Sequence, residues 1–411
     1  AYCLRPDVVA YNASISACEK GERWSVTLLL LDEMRGRGLR PDVVTYNSSI
    51  SSCEKGQQWA RSLGLLAEMR SSSILPSVIT YNASMSACEK GQQWQAASHL
   101  MGEMRQRGME PDRITYTAFI SACERSHEWQ RATGLFAEMQ SRLLQSDTIA
   151  YNALIGAFAK GQQWPQALVA FDAARRSGLE ADIIMHNATI SALIAGQEWA
   201  RALSIFSEVQ RSPWLRPSRI TYNTAILACE HGQLWPAAFH LLAEARQASQ
   251  LDAPACSAAM RASAKAQQWA RALLLWSDAR GASLDPDLGV CDAIVFALSK
   301  GRRWTEALQM TEEIQRAGWG LDELSYRDLL NACADSWAMA LNVLARMQQE
   351  GLEPNALDYR EVVDACVRCQ ELRAAGRLLL RDLRRSAERR ELAQLIGGPP
   401  TGQAEDGPMG K

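Results

Sequence analysis

Tryptophan returns along this chain at an almost fixed interval. Trp24, Trp59, Trp94, Trp129, Trp164 and Trp199 stand 35 residues apart, and Trp235, Trp269, Trp304 and Trp337 continue the series. A period of this size is the signature of a repeat array, and it constrains the fold more tightly than any local propensity.

Superimposing the chain on itself at this interval aligns far more than tryptophan. The segment from Val43 through Thr45-Tyr46-Asn47 to Cys53-Glu54-Lys55-Gly56-Gln57-Gln58-Trp59 returns from Val78 through Thr80-Tyr81-Asn82 to Cys88-Glu89-Lys90-Gly91-Gln92-Gln93-Trp94. Each block runs on to Glu-Met-Arg, as at 33–35, 68–70 and 103–105, and then often to Pro-Asp, as at 6–7, 41–42, 111–112 and 286–287. In one unit Val8, Val9, Tyr11, Ile15 and Cys18 fall on one side of a helix that Gly21 interrupts, which predicts a first helix over about 8–20. Trp24, Leu28, Leu31 and Met34 form a second stripe, predicting a helix over about 23–36 that stops at Gly38 ahead of Pro41. Asp42 is placed to cap the next first helix. A lone hairpin cannot bury both stripes, so hairpins must stack. The expected fold is all-α: a right-handed α-solenoid superhelix of about eleven 35-residue helix-turn-helix repeats with one concave face.

Composition agrees. With 47% hydrophobic and 22% charged residues the chain is neither disordered nor membranous, and no apolar run approaches the roughly 18 residues that span a bilayer. Seven of its 11 cysteines (Cys18, Cys53, Cys88, Cys123, Cys229, Cys333 and Cys366) share one column of the first helix, where Phe158 and Leu193 substitute for them. This is the behaviour of small buried hydrophobes in a reducing compartment rather than of a disulfide framework. Residues 1–7 match the end of a repeat (compare 38–42), so further repeats, and any targeting segment, are expected upstream.

A 35-residue hairpin with Val-Val-Thr-Tyr-Asn near its start, Glu-Met-Arg near its end and Pro-Asp at its boundary resembles the pentatricopeptide repeat family, in its P-type arrays without a catalytic C-terminal domain. The resemblance covers about residues 8–383. It divides the chain into an upstream remnant (1–7), seven well-formed repeats (8–252), degenerate and capping repeats (253–383), a helical extension (384–396) and a disordered tail (397–411). It implies single-stranded RNA binding with one base per repeat. It also implies a chloroplast or mitochondrial location and work in RNA processing, stability or translation, with RNA-processing proteins as further partners.

In such repeats the fifth and last residues select the base while the second covers its faces. Carried over, the selecting pairs are Asn12 with Asp42, Asn47 with Ser77, Asn82 with Asp112, Thr117 with Asp147, Asn152 with Asp182, Asn187 with Ser218, and Asn223 with Asp252. The covering residues are Val9, Val44, Ile79, Ile114, Ile149, Ile184 and Ile220. The family's pairing rules then imply a target 5′-U-Y-U-G-U-Y-U-3′. Asparagine is a mediocre helix former whose amide both donates and accepts, so its recurrence inside a helix calls for a reason other than helix stability. That reason is either base reading or an asparagine ladder tying one repeat to the next. Reading is favoured by Thr117, since a ladder should tolerate the swap poorly.

Net charge is −2, which argues against a strong electrostatic footprint on RNA. A basic row does recur at the end of the first helix: Lys20, Lys55, Lys90, Arg125, Lys160, Lys265 and Lys300. The row either contacts phosphate, as the resemblance allows, or complements the helix dipole. The tryptophans are expected in the inter-repeat core. Beyond Asp252 the pattern decays: Pro254 and Gly289 stand at covering positions, Pro254 promises a poor helix start, and Asp292, Arg327 and Arg360 replace asparagine. No metal or cofactor site and no catalytic constellation is visible. Cys366 and Cys369 form a lone CxxC without a second ligand pair. Two function classes remain: an RNA-binding module, and a helical scaffold for proteins.

Overall fold

The computed structural model describes residues 6–281, 288–319 and 321–370. Its elements are α1 (Val8–Lys20), α2 (Trp24–Gly36), α3 (Val43–Lys55), α4 (Trp59–Ser71), α5 (Val78–Lys90), α6 (Trp94–Gln106), α7 (Arg113–Arg125), α8 (Trp129–Ser141), α9 (Thr148–Lys160), α10 (Trp164–Arg176), α11 (Ile183–Ala195), α12 (Trp199–Arg211) and α13 (Arg219–His231). They continue as α14 (Trp235–Gln247), α15 (Ala253–Lys265), α16 (Trp269–Gly281), α17 (Leu288–Lys300), α18 (Trp304–Arg316), α19 (Glu323–Ala332), α20 (Trp337–Gln349) and α21 (Ala356–Arg368). Among the described residues the only other regular element is a 3₁₀ turn, Cys333–Asp335. It follows a first helix three residues short, in the unit where the tryptophan spacing contracts. The segments 1–5 and 371–411, which hold most of the expected upstream remnant, the end of the last hairpin, the helical extension and the tail, lie outside the described residues, as does Asp287.

The chain divides into two units, 1–228 and 229–411. In the first, α1, α3, α5, α7, α9 and α11 pack successively side by side, and α2, α4, α6, α8 and α10 each lean on the first helix of the following hairpin. In the second, α15, α17, α19 and α21 form the same kind of row, with α14, α16, α18 and α20 leaning on it. Each unit is an all-α solenoid of stacked hairpins.

Local chemistry fixes the helix ends. The Asp42 carboxylate accepts from the Thr45 backbone N–H at 2.8 Å while the Thr45 hydroxyl accepts from the Asp42 N–H at 3.2 Å, a reciprocal cap that satisfies two free donors. At the other end Gly38, at φ +76°, and the bond from Leu39 N–H to the Met34 carbonyl close α2 as expected. The turn inside each hairpin follows a first helix that stops at its glycine as expected, with Gly21 and Gly56 as C-caps. Gly21 and Gly56 have φ near −80°, and the left-handed residue is the one that follows, Glu22 and Gln57. At five of these turns glycine also leaves space: a Cβ on Gly56, Gly91, Gly161, Gly196 or Gly301 would intrude into the indole of Trp24, Trp59, Trp129, Trp164 or Trp269 of the preceding hairpin, while Ser126 and Ala266 hold the same turn position after α7 and α15. Pro254 departs from expectation, for α15 begins normally. A proline in the first turn removes an N–H that has no helical partner anyway.

The recurring motifs are joints between hairpins. In Glu68-Met69-Arg70 the glutamate accepts from Tyr46 of its own hairpin at 3.1 Å and pairs with Arg35 of the preceding one at 2.5 Å, while Met69 is fully buried. Arg70 repeats the pairing with Glu103 at 2.8 Å, and Arg105 with Glu138 at 2.6 Å. Burial, then the bond to Glu103, pushes Tyr81 up to about 12. Each tryptophan of the series is half-buried against the next hairpin, and arginines cover some of their faces: Arg131 lies 4.0 Å from the Trp94 ring centre and Arg271 4.2 Å from that of Trp235. Cys53, Cys88, Cys123 and Cys229 are fully buried, and burial pushes the last three to about 12, so these thiols are inert.

Candidate nucleic-acid interface

The residue after the first position of each first helix points into solvent. Val9 is 72% exposed, Val44 55%, Ile79 69%, Ile114 55%, Ile149 62%, Ile184 60% and Ile220 63%. These seven branched aliphatics all lie in the first unit, where the first helices from α1 to α11 stand in a packed row. Single exposed apolar residues are ordinary, but one repeated at the same register of successive neighbours makes a built surface. The helix hides its other face well enough: Tyr46, Tyr81 and Tyr116, two positions further on, are buried to within 1%.

Beside this row stand the half-exposed fifth residues, and the structure brings several of them to the last residues named with them. Asn12 Nδ2 lies 3.1 Å from both carboxylate oxygens of Asp42, and Asn82 Nδ2 lies 3.2 Å from both of Asp112. Asn152 Nδ2 meets those of Asp182 at 3.3 and 3.0 Å. The amide oxygens are held by the first turn of that same following helix. Thr45 donates its hydroxyl to Asn12 Oδ1 at 2.5 Å, Thr80 to Asn47 at 2.6 Å and Thr115 to Asn82 at 2.6 Å. Thus the asparagine ladder is present as geometry. Burial alone would raise the Asp42 pKa, but the bonds from Thr45 and Asn12 outweigh it and hold the group below its ordinary value, a carboxylate at neutral pH.

The ladder does not occupy the whole amide. One N–H of Asn12 is spent on Asp42 and its oxygen on Thr45, which leaves the second N–H, beside a carboxylate with lone pairs to spare. Elsewhere the pairing is looser. Ser77 turns its hydroxyl to Thr80 instead of Asn47. Thr117 turns its own back to the Arg113 carbonyl at 2.9 Å, and Asp147 is approached by Arg113 at 3.6 Å. The inference drawn from the Thr117 swap therefore fails: the third residue of the following helix is Ala150, so there is no rung for threonine to break. Where Met185 takes that place, Asn152 Oδ1 is buried without a partner, and Asn187 Oδ1 is left likewise. Ser218 caps α13 through Thr221, Asn223 is half-exposed, and Asp252 caps α15.

The basic row, at the last turn of each first helix, also joins one hairpin to the next. Lys55 pairs with Glu19 at 3.3 Å, Lys90 with Glu54 at 3.1 Å, Arg125 with Glu89 at 3.6 Å, Lys160 with Glu124 at 3.1 Å and, in the second unit, Lys265 with Glu230 at 2.9 Å. Each cation binds the glutamate that precedes its counterpart in the previous hairpin. The glutamate column was in view in the repeated Cys-Glu-Lys, and this co-occurrence is the signal that could have found the joint. Lys20, exposed at the end of α1, belongs to the same column.

In the second unit the fifth-to-third contact persists with other chemistry. Ser325 donates its hydroxyl to Asp292, and Arg327 Nε donates to the fully buried Asp358 at 3.1 Å. The covering positions of α19 and α21 are Leu324 and Leu357, 54% and 53% exposed, so the apolar column resumes after Pro254 and Gly289. Among the described residues no group of His, Cys, Asp or Glu could hold a metal ion, Cys366 is buried, and Cys369 Sγ contacts the Asp335 carbonyl at 3.6 Å.

Comparison with known proteins agrees with this architecture. The "PPR repeat family" matches residues 6–55, 41–90, 76–125 and 112–160, the "PPR repeat" matches 149–179, and the "Pentatricopeptide repeat domain" matches 169–231 and 309–368. No curated protein matches. Among solved structures, the pentatricopeptide repeat protein PPR10 from maize is 19% identical with a TM-score of 0.59, over 95% of this chain and 66% of that one. PPR10 in complex with an 18-nt psaJ RNA element is 20% identical with a TM-score of 0.44, over 91% and 58%. Yeast Rmd9p in complex with its 16-nt target RNA is 10% identical with a TM-score of 0.43, over 91% and 88%. The chain thus spans about two-thirds of PPR10 or less, and shares its fold. The matched repeats, unbroken over 6–231 and resuming over 309–368, show that this chain belongs to the pentatricopeptide repeat family.

Proposed function

We propose that this protein is a sequence-selective binder of single-stranded RNA that takes one base per repeat and acts on organellar transcripts, in a chloroplast or mitochondrion. The observation that carries the reading is the row of seven exposed aliphatics beside polar, part-exposed selector pairs. Water is a poor environment for such a row, and flat base faces are a good one. PPR10, of the same family, is solved with an RNA element bound.

The chemistry of selection follows from what the ladder leaves free. An Asn–Asp pair presents an N–H donor next to a carboxylate acceptor. Uracil presents the complement on one edge, a carbonyl next to an N–H, so Asn12/Asp42, Asn82/Asp112 and Asn152/Asp182 take U. Guanine has the same donor–acceptor pair on a larger ring, and the shorter Thr117 leaves room for it beside Asp147. Asn47/Ser77 and Asn187/Ser218 carry no selector carboxylate and accept either pyrimidine. The target is 5′-U-Y-U-G-U-Y-U-3′. Holding such a segment single-stranded protects it or exposes its flanks to RNA-processing proteins.

Replacing Ile79 and Ile114 by serine tests the reading. Each loss of cover is worth about 1 kcal/mol, the value of one or two buried methylenes, so affinity for that RNA should fall roughly thirtyfold. At 69% and 55% exposure these residues contribute little to folding, so the melting temperature should hold. Unchanged affinity refutes the groove, and a wild-type chain that binds no RNA favours a protein scaffold.

A further inference from the structure

One connection in the first unit breaks the pattern. Trp199 and Trp235 are 36 residues apart where their predecessors are 35, and the extra residue falls in Ser212-Pro213-Trp214-Leu215-Arg216-Pro217. Other second helices leave through a left-handed residue such as Gly38, Gly108 or Gly178, whereas α12 ends at an extended Ser212 followed by proline. Leu215, half-buried, takes the place that Leu39 and Leu179 hold before their own boundaries, and the tryptophan is left outside. Trp214 is 89% exposed. The other twelve tryptophans of the chain are all buried or half-buried.

Its surroundings are cationic. Arg211, Arg216 and Arg219 are exposed, and residues 209–220 contain no acidic side chain. None of the three arginines has a carboxylate partner within 4.0 Å among the described residues, while Arg35, Arg70, Arg105 and Arg175 in the hairpins before are all paired with glutamate. In a chain of net charge −2 this places three exposed arginines within five residues of a bare indole. It also lies at the edge of the proposed groove: Trp214 precedes the selector Ser218 by four residues, about 14 Å of chain at most, and the covering Ile220 by six.

We propose that Trp214 is an accessory stacking site for one unpaired nucleobase, with Arg211, Arg216 and Arg219 holding the flanking phosphates. The proposal rests on the RNA-binding reading above and adds to it a contact outside the repeat register. An indole face stacks on any base, and guanidinium groups grip phosphate, so the site adds affinity without sequence preference.

The probe is 5′-UCUGUCU-3′ RNA, titrated against the wild-type chain and two variants. Trp214→Ala should weaken binding roughly tenfold with the melting temperature unchanged, and Trp214→Phe should restore most of it. Acrylamide should quench the exposed indole in the free wild-type chain, bound RNA should protect it, and Trp214→Phe should lack that component. Replacing the three arginines by glutamine should lower the salt slope by roughly two. Wild-type binding with equal affinity in Trp214→Ala, or quenching that RNA does not alter, overturns this site and leaves the groove standing. A wild-type chain that binds no RNA removes both.

Discussion

Gly91→Ala sets two physical effects against each other, and the structure says which wins. Gly91 has φ −84° and ψ 1°, a conformation open to any residue. On backbone grounds alone, alanine restricts the unfolded chain and should stabilise by about 0.4–1 kcal/mol. Yet its Cβ would sit 2.6 Å from Trp59 Cγ and 2.9 Å from Trp59 Cβ, with Cδ1 nearer still, where no real Cβ is found. The indole is half-buried against this turn, so a Cβ there must displace it. Overpacking of this kind costs about 1–3 kcal/mol and sometimes more, so the net expectation is a loss of about 2 kcal/mol. Gly64, in the middle of α4, has nothing within 4 Å of its would-be Cβ, and Gly64→Ala should gain about 0.5–1 kcal/mol. Urea denaturation followed by circular dichroism reads both, and the midpoints should move in opposite directions. Trp59→Leu combined with Gly91→Ala should cost less than the two singles added, because the clash is shared. A Gly91→Ala chain as stable as wild type would refute the claim that this glycine is there for space.

Two further outcomes follow from the ion pairs and from burial. Lys90→Met should cost about 1 kcal/mol of stability, since its pair with Glu54 is only part-buried. It should also leave the salt dependence of RNA binding unchanged; a slope lower by about 0.7 would return this lysine to a phosphate role. Asp328 is pushed up to about 6, first by burial and then by Asp292 and Asp322, against the pull of Lys300 and Arg327. A folded-state pKa above the ordinary value of 3.8 means that protonation favours the folded chain, so this stability is full below about 3.8 and is lost as pH rises through about 6. Asp328→Asn should therefore raise the melting temperature by about 3 °C at pH 8 and hardly at all at pH 4; equal shifts at both would refute the assignment.

Much of the fold was legible because its signals are local. The first helix was expected over 8–20 and spans Val8–Lys20, and the second over 23–36 and spans Trp24–Gly36. Asp42, Gly38 and Pro41 act within four residues of themselves, at the range a sequence reading can see. What stayed hidden was pairing at the pitch of the stack. Lys90 to Glu54, Arg70 to Glu103 and Thr80 to Asn47 join residues 33 to 36 apart, and only the packing of one hairpin on the next decides which columns meet. The turn glycine was legible as a helix stop, but its packing against an indole one hairpin away was not. At the candidate site the columns themselves were legible, but the direction of each amide was not. Hidden too was whether each amide oxygen finds a partner: Thr115 supplies a hydroxyl to that of Asn82, whereas Asn152 Oδ1, facing Met185, is buried without one.

The selector pairs are tested most directly by changing one of them and watching one base. Thr117→Asn restores the arrangement of the neighbouring repeats beside Asp147, so the fourth nucleotide should change from G to U. Filter binding of 5′-UCUGUCU-3′ and 5′-UCUUUCU-3′ RNA to both chains should show the wild type preferring the first and the variant preferring the second, with other positions unaffected. Equal binding of the two RNAs by both proteins would contradict the account.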